Sequence, residues 1–310
     1  MAKLIVATAN EAQTRRWHQV MQQAMPEHEV LVWEPNQPMI GARYGIVWSP
    51  PNEFFNTETG LQAVFNLGAG VDGILKLPSL PNIPVYRLED AGMANQMAEY
   101  VIHSIATYSR HFDTYRRHQE ASQWKPLHAV RHHEWPVGVM GLGKLGAHVA
   151  QAVASIGYPV AGWARRSREI DGVEIFHGAE QFNAFLARSR VLVNLLPLTP
   201  ETEGIINADS LAGLKPNAVV INIARGGHVV DADLLAALDS GHVQAAVLDV
   251  FRQEPLPAEH PYWHHPKVRV TPHISAATLE AEAAEQISEG IRRLENGEQA
   301  NGLVRRDSGY

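Results

Sequence analysis

Apolar residues along the chain gather into short runs separated by stretches with helical spacing. Residues 4–9 form a nearly unbroken apolar run, the pattern of a strand covered on both faces. Residues 11–25 follow with helical character and stop at Pro26, which lacks the N–H that a helix interior needs. Further strands are predicted at 30–33, at 44–48 (closed by Pro50 and Pro51), at 63–67 and at 85–88. In residues 94–118, Met97, Val101, Ile105 and Tyr108 recur at spacings of three and four, which predicts one long helix. A polar, histidine-rich segment, 119–134, reads as irregular. A second series then opens, with strands at 135–140, 159–163, 191–195, 218–223, 245–250 and 268–271, and one amphipathic helix over 276–295. Strands alternating with helices imply parallel sheets with crossover helices, an α/β fold.

The chain has 310 residues, 45% of them hydrophobic, enough for two ordinary cores. The second series is complete before the last helix, which is therefore expected to return to the first domain and make it discontinuous. The formal net charge of -7 provides no basic surplus to neutralise a phosphate backbone, so no nucleic-acid partner is expected. Cysteine is absent, which removes disulfides, thiolate metal sites and a cysteine nucleophile together. Of the sixteen histidines, His132-His133 and His264-His265 are adjacent pairs, whose side chains diverge on a helix or strand, and no metal site is expected. The opening apolar run is short and is followed by Glu11, Arg15 and Arg16. It reads as a first strand rather than a secretory signal or membrane helix, in a soluble cytoplasmic protein.

The strongest local motif is Gly141-Leu142-Gly143-Lys144-Leu145-Gly146, between a predicted strand and a predicted helix. In such a G-x-G-x-x-G loop the first glycine makes the tight turn and the second lets the backbone approach a pyrophosphate. The third allows close helix–strand contact, and the helix N-terminus supplies N–H groups and partial positive charge. The following strand ends in Trp163-Ala164-Arg165-Arg166-Ser167-Arg168, with no acid of the kind that holds an adenine ribose 2′-hydroxyl. Arg165 and Arg166, with Ser167, suit a 2′-phosphate instead, because guanidinium forks bind phosphate bidentately; the alternative is an ordinary solvated turn. NADPH is therefore the expected cofactor, with NADH possible.

Three further polar residues follow predicted strands of the second series: Arg225 after 218–223, Glu254 after 245–250 and His273 after 268–271. Open α/β sheets bind ligands at these strand ends. Each alone reads equally well as a surface loop residue; their common placement points to a catalytic constellation.

At these residues the chain resembles the D-isomer specific 2-hydroxyacid dehydrogenase family. The resemblance covers essentially the whole chain and is carried by GLGKLG, LLPLTPET (195–202), INIARGG, LDVFRQEPLP (248–257) and TPHISA (271–276). FNLGAGVD (65–72) and RLEDAGMANQMAEY (87–100) are similar to its glyoxylate/hydroxypyruvate reductase A subgroup.

The resemblance implies two Rossmann-like, doubly wound domains with the active site in the interdomain cleft: residues 1–99 plus 277–310 as the substrate domain, and 100–276 as the dinucleotide-binding domain. It implies reduction of small 2-oxoacids by hydride transfer. Arg225 would grip the substrate carboxylate and polarise the carbonyl, and His273 would donate the proton. Glu254 would orient the imidazole and stabilise its charged form. The N–H groups of Ala69 and Gly70 would hold the carboxylate. Apart from the resemblance, Trp48, ending a first-domain strand before Pro50 and Pro51, reads either as a wall of the pocket or as a core aromatic. Gly141, Gly143, Lys144, Leu145, Gly146, Leu196, Pro197, Thr202, Ile223 and Ala224 would bind the cofactor, although Thr202 reads equally as the start of the next helix. Asp249 reads either as acceptor for the nicotinamide carboxamide or as a strand-end cap. A homodimer is implied, with contacts through the 99–118 helix and neighbouring segments. The rival readings are an NAD-dependent dehydrogenase of a larger D-2-hydroxy acid and a non-catalytic NAD(P)-sensing scaffold.

Overall fold

A computed structural model describes residues 2–306; Met1 and residues 307–310, the end of the tail assigned to the substrate domain, lie outside the described residues. The chain divides into two compact units, one made of the residues up to Met93 and from Thr278 on, the other of Ala94–Ala277.

In the first unit β1 (Lys3–Thr8), α1 (Glu11–Ala24), β2 (Glu29–Val32), β3 (Tyr44–Trp48), α2 (Asn52–Thr57), β4 (Ala63–Asn66), α3 (Asp72–Leu75) and β5 (Val85–Arg87) follow in sequence. The strands form a parallel sheet in the order β2-β1-β3-β4-β5. Ile5, Ala7, Val47 and Val64 come from its strands and are buried against Phe54, Phe55 and Ile74. Asn10 caps α1, its Oδ1 accepting from the Gln13 N–H at 2.8 Å.

The second unit opens with α4 (Met93–Ser109) and α5 (Phe112–Glu120), where the sequence predicted one helix. The chain breaks at His111, whose φ of 57° is left-handed. The apolar series ends at Tyr108, and α5 buries none of its residues, so no core holds the helix straight through the break. Then come β6 (Val137–Met140), α6 (Lys144–Ser155), β7 (Val160–Ala164), β8 (Val173–His177), α7 (Phe182–Arg188), β9 (Val191–Asn194), α8 (Ala208–Ala212), β10 (Ala218–Asn222), α9 (Asp231–Ser240), β11 (Val243–Leu248) and β12 (Val268–Val270). All seven strands are parallel in the order β12-β11-β10-β9-β6-β7-β8. The order reverses between β6 and β9, and such a switch point opens a ligand crevice beyond the strands' carboxyl ends.

β8 was not predicted. It is an edge strand without a fully buried residue, so its side chains lack the apolar run that marks the inner strands. The last helix, α10 (Glu280–Glu295), starts four residues later than the sequence predicted. Leu279 caps it in extended conformation, its N–H donating to the Ala91 carbonyl at 3.3 Å. α10 belongs to the first unit, where Ala283, Ile287 and Ile291 are buried and Arg292 reaches Glu27 at 3.1 Å. Beyond it the Val304 N–H donates to Val85 and the Arg87 N–H to Gly302, so the tail borders β5.

Candidate active site

At the switch point β6 runs into the glycine loop and α6. Gly141 has φ of 91°, a left-handed conformation open to glycine, and its N–H donates to the Trp163 carbonyl at 2.9 Å. A Cβ at Gly146 would collide with the Gly141 carbonyl oxygen, whereas one at Gly143 would meet open space. No side chain caps α6 at Gly143. Loop and helix therefore leave a cradle of backbone N–H groups with room above the middle glycine, which fits a dinucleotide pyrophosphate. Gly143→Val fills that room without touching the core. Its expected result is a melting temperature close to wild type and dinucleotide affinity lowered at least tenfold, read by quenching of tryptophan fluorescence.

Beyond β7, Arg165, Arg166 and Ser167 are exposed. The Glu201 carboxyl is held below the usual range by the Thr199 hydroxyl first, then by its backbone and by the charge of Arg165. Arg165 thus lies within electrostatic reach of the loop after β9. That loop is internally tied: the Thr202 hydroxyl donates to the Pro197 carbonyl at 2.7 Å and accepts from the Thr199 N–H at 2.9 Å. Thr202 starts no helix, since α8 begins only at Ala208. Leu196 is nearly buried and Pro197 half-buried.

Two fully buried asparagines, each closing its strand, set the loops at the ends of β9 and β10. Asn194 donates to Asn222 Oδ1 at 3.0 Å, while its own Oδ1 takes the Leu196 N–H. Asn222 donates to the Arg225 carbonyl at 2.9 Å and accepts from the Ala224 N–H. Arg225 itself is half-buried and extended, and one guanidinium nitrogen donates to the Ala224 carbonyl at 2.7 Å. Ile223 is buried and Ala224 half-buried beside it.

Asp249 follows β11 fully buried, and its carboxylate organises the next loop. Oδ1 accepts from the Thr271 hydroxyl at 2.5 Å and the Ile274 N–H at 2.8 Å; Oδ2 accepts from the Ser275 N–H at 2.8 Å. The backbone N–H of His273 donates to the Asp249 carbonyl at 2.9 Å. These are the contacts of a strand-end cap, and they leave the Asp249 carboxylate a lone pair for a further donor. Tyr100, on α4, meets the Thr271 hydroxyl at 2.6 Å, and burial pushes its phenol up to about 12. With the threonine proton committed to Asp249, Tyr100 is the donor in that contact.

The loop so anchored presents His273 with φ of 55°, which costs on the order of 1–3 kcal/mol and persists because Asp249 determines the backbone on both sides. Its Nδ1 lies 2.7 Å from Glu254 Oε2, while Glu254 Oε1 accepts from the Phe251 N–H at 2.9 Å. Both side chains remain more than a third exposed, at 43% for His273 and 36% for Glu254, so the pair faces solvent. The carboxylate acts as acceptor at Nδ1, which leaves Nε2 as the outward nitrogen. A cavity of about 190 Å³ lies by the Glu254 loop, lined in part by Asp231, Phe251, His260 and Tyr262. The Tyr262 phenol donates to Asp231 at 2.9 Å, and burial with that carboxylate holds it far above its usual range.

In the first unit Asn66 donates to the carbonyls of Gly68 and Gly70 at 2.9 and 3.0 Å, shaping the turn that contains Ala69. Among the described residues no acceptor is found for the N–H groups of Ala69 and Gly70. Trp48, half-buried, rests its ring on Gly68, where a Cβ would collide with it.

Sequence reasoning missed Asn66, Asn194, Asn222, Thr271 and Tyr100. A signal for the two central asparagines existed: each is a polar residue closing an otherwise apolar strand. Among the described residues no group of three or more His, Asp or Glu gathers as a metal site, and no helix is long and apolar enough to cross a membrane.

Residues 102–275 match the model of the family described as D-isomer specific 2-hydroxyacid dehydrogenase, NAD binding domain. A D-isomer specific 2-hydroxyacid dehydrogenase from Xanthobacter autotrophicus Py2, solved with NADPH and MES, is 41% identical with a TM-score of 0.93, covering 100% of this chain and 99% of that one. An NADPH-dependent glyoxylate/hydroxypyruvate reductase from Sinorhizobium meliloti, solved with NADP and sulfate, is 35% identical with a TM-score of 0.94, covering 100% of both chains. A probable 2-hydroxyacid dehydrogenase from Rhizobium etli CFN 42, solved with NADP, HEPES and L(+)-tartaric acid, is 31% identical with a TM-score of 0.91, covering 100% of this chain and 99% of that one.

Proposed function

The chain belongs to the D-isomer specific 2-hydroxyacid dehydrogenases, and on that premise we propose that it reduces glyoxylate to glycolate and hydroxypyruvate to D-glycerate, with NADPH as the preferred cofactor. The observation that carries the catalytic part is the 2.7 Å pairing of His273 Nδ1 with Glu254, beyond the carboxyl ends of the same parallel sheet that Arg225 follows.

Bound dihydronicotinamide supplies the hydride. The Arg225 fork holds the carboxylate and opposes the negative charge that builds on the carbonyl oxygen. His273 Nε2 donates the proton to that oxygen as C2 gains the hydride, and solvent returns a proton to the imidazole afterwards. Glu254 fixes the ring through Nδ1 and stabilises its charged form before the transfer. In the first unit the Ala69 and Gly70 N–H groups serve as oriented anion donors, with Trp48 as their aromatic neighbour. Gly141, Gly143, Lys144, Leu145 and Gly146 hold the pyrophosphate, and Leu196, Pro197, Thr202, Ile223 and Ala224 complete the nucleotide's surroundings. Asp249 anchors the His273 loop and would accept a hydrogen bond from the nicotinamide carboxamide.

The preference for NADPH rests on Arg165 and Arg166, with Ser167, at the end of β7. A charge-assisted hydrogen bond contributes roughly 1.5–3 kcal/mol, so Arg165→Ala with Arg166→Ala raises the KM for NADPH by about 10–100-fold. The KM for NADH changes little, and parallel assays with the two cofactors check both.

Phe112, Tyr115 and the fully exposed Trp124 lie on α5 and the segment after it, and support a homodimer of this cytoplasmic enzyme through that region. Trp124→Glu is expected to sediment as a monomer. The activity itself is tested by the loss of reduced-nicotinamide absorbance with glyoxylate, hydroxypyruvate and pyruvate. Turnover of the first two with NADPH supports the proposal; no turnover with either cofactor refutes it.

A further inference from the structure

The short 3-10 turn Gly226–His228 follows Arg225 directly. It buries His228 completely, although imidazole is polar. Both ring nitrogens face main-chain carbonyls: Nδ1 lies 3.0 Å from the Arg225 oxygen and Nε2 3.2 Å from the Pro197 oxygen. Each carbonyl can only accept, so a ring nitrogen bonds there only when it carries a proton, and a doubly protonated ring donates to both. A proton so held is committed to the protein, so this ring is no acid or base for the reaction. The two carbonyls it spans belong to different loops. Pro197 sits in the loop assigned to the nucleotide, with its oxygen also held by Thr202. Arg225 carries the guanidinium assigned to the substrate, and its oxygen is also held by Asn222.

The turn is fixed from other directions as well. The Gly204 N–H donates to the Gly227 carbonyl and the Ile206 N–H to the His228 carbonyl, both at 2.9 Å. Arg252, on the loop that carries Glu254, donates to the carbonyls of Val229 at 3.0 Å and Gly227 at 3.2 Å. A Cβ at Gly226 would collide with the backbone of Phe251 and Arg252. The loop after β9 thus meets the Arg225 backbone in two places, at the Asn194–Asn222 pair and at the buried His228 ring, and only the ring touches the Pro197 carbonyl.

We propose that His228 is a positioning residue that ties the nucleotide loop to the substrate arginine, its imidazole, protonated on both nitrogens, donating to the Pro197 and Arg225 carbonyls. The proposal builds on the assignments of these loops given above. An asparagine amide overlies the Nδ1 position of histidine and a glutamine amide the Nε2 position, so the two arms of the bridge can be kept one at a time.

The test compares His228→Asn, His228→Gln and His228→Phe with wild type. NADPH affinity is read by tryptophan quenching, KM and kcat with glyoxylate, and melting temperature for folding. His228→Gln should keep NADPH affinity within about threefold while the glyoxylate KM rises about tenfold. His228→Asn should do the reverse, and His228→Phe should lose on both counts. Equal changes in the Asn and Gln variants, or NADPH affinity and KM within twofold of wild type in both, would mean that the ring only fills space and would overturn the proposal.

Because the Asn–Gln contrast decides, a Phe variant that does not fold leaves the test intact. Should neither amide variant fold, hydrogen exchange on the wild-type protein decides. NADPH alone must slow exchange in the peptide from Arg225 to Val230, and unchanged exchange overturns the link. If the wild-type protein turns over no 2-oxoacid, the functional assignment fails while the NADPH affinities of the two amide variants still judge the bridge.

Discussion

Arg225→Ala lowers kcat/KM for glyoxylate by about three orders of magnitude, within the range found when a donor to a developing oxyanion is removed together with a charge-assisted contact. The loss divides between the two constants. KM rises because the carboxylate loses its fork, and kcat falls because charge on the carbonyl oxygen goes unopposed. The loop itself should stay in place. Asn222 and His228 hold the Arg225 carbonyl rather than its side chain, and the guanidinium's contact with Ala224 is local. NADPH affinity is therefore expected to stay within about threefold, and the melting temperature within a few degrees. Arg225→Lys should recover only part of the loss, since an ammonium restores charge but not the planar fork. An NADPH dissociation constant that rises in step with the loss of kcat/KM would move Arg225 from the substrate to the cofactor.

Replacing His273 by asparagine removes the proton donor and lowers kcat by about 10²–10⁴-fold, the usual contribution of a positioned general acid, with little effect on the glyoxylate KM. Asparagine is the informative choice because of the backbone. With φ of 55°, position 273 takes up a conformation that asparagine and histidine adopt far more readily than most residues. The substitution therefore changes the chemistry without adding strain, and Asp249 still receives the N–H groups of Ile274 and Ser275. Steady-state kinetics with a thermal melt checks both halves. A KM that rises by the same factor as kcat falls would point to a binding role for the ring. A collapse of the melting temperature would mean that the Glu254 contact maintains the loop, contrary to the anchoring by Asp249.

The outer frame of these sites was legible from sequence because apolar runs and glycine spacing are local signals. Residues 44–48 had the same bounds in sequence and structure, and the glycine loop stands between the strand and helix that its pattern implied. Arg225, Glu254 and His273 could be located as the polar residues following apolar strands. What escaped depended on distant partners. The contact between Tyr100 and Thr271 joins residues 171 positions apart, and nothing near either one signals the other. Asp249 could be placed at a strand end, but the N–H groups that its carboxylate holds, from residues 274 and 275, lie on another loop. β8 and the break at His111 were missed for a shared reason. Both occur where the chain stops burying apolar surface, so the periodicity that reveals other elements is missing there.

The first sheet's dependence on the far end of the chain bears on synthesis. During translation β1 to β5 emerge early, yet Phe65 packs on Gly290 of α10, and Val85 and Arg87 bond to residues 304 and 302. Until those residues leave the ribosome, the first unit exposes the apolar surface that α10 covers, while every strand of the second unit has already been delivered. The unit translated first is thus the one finished last, contrary to the usual N-to-C order of domain completion. A nascent chain whose residues up to 279 have left the ribosome would display a folded dinucleotide module together with an open sheet, the form of this protein with most to gain from a chaperone.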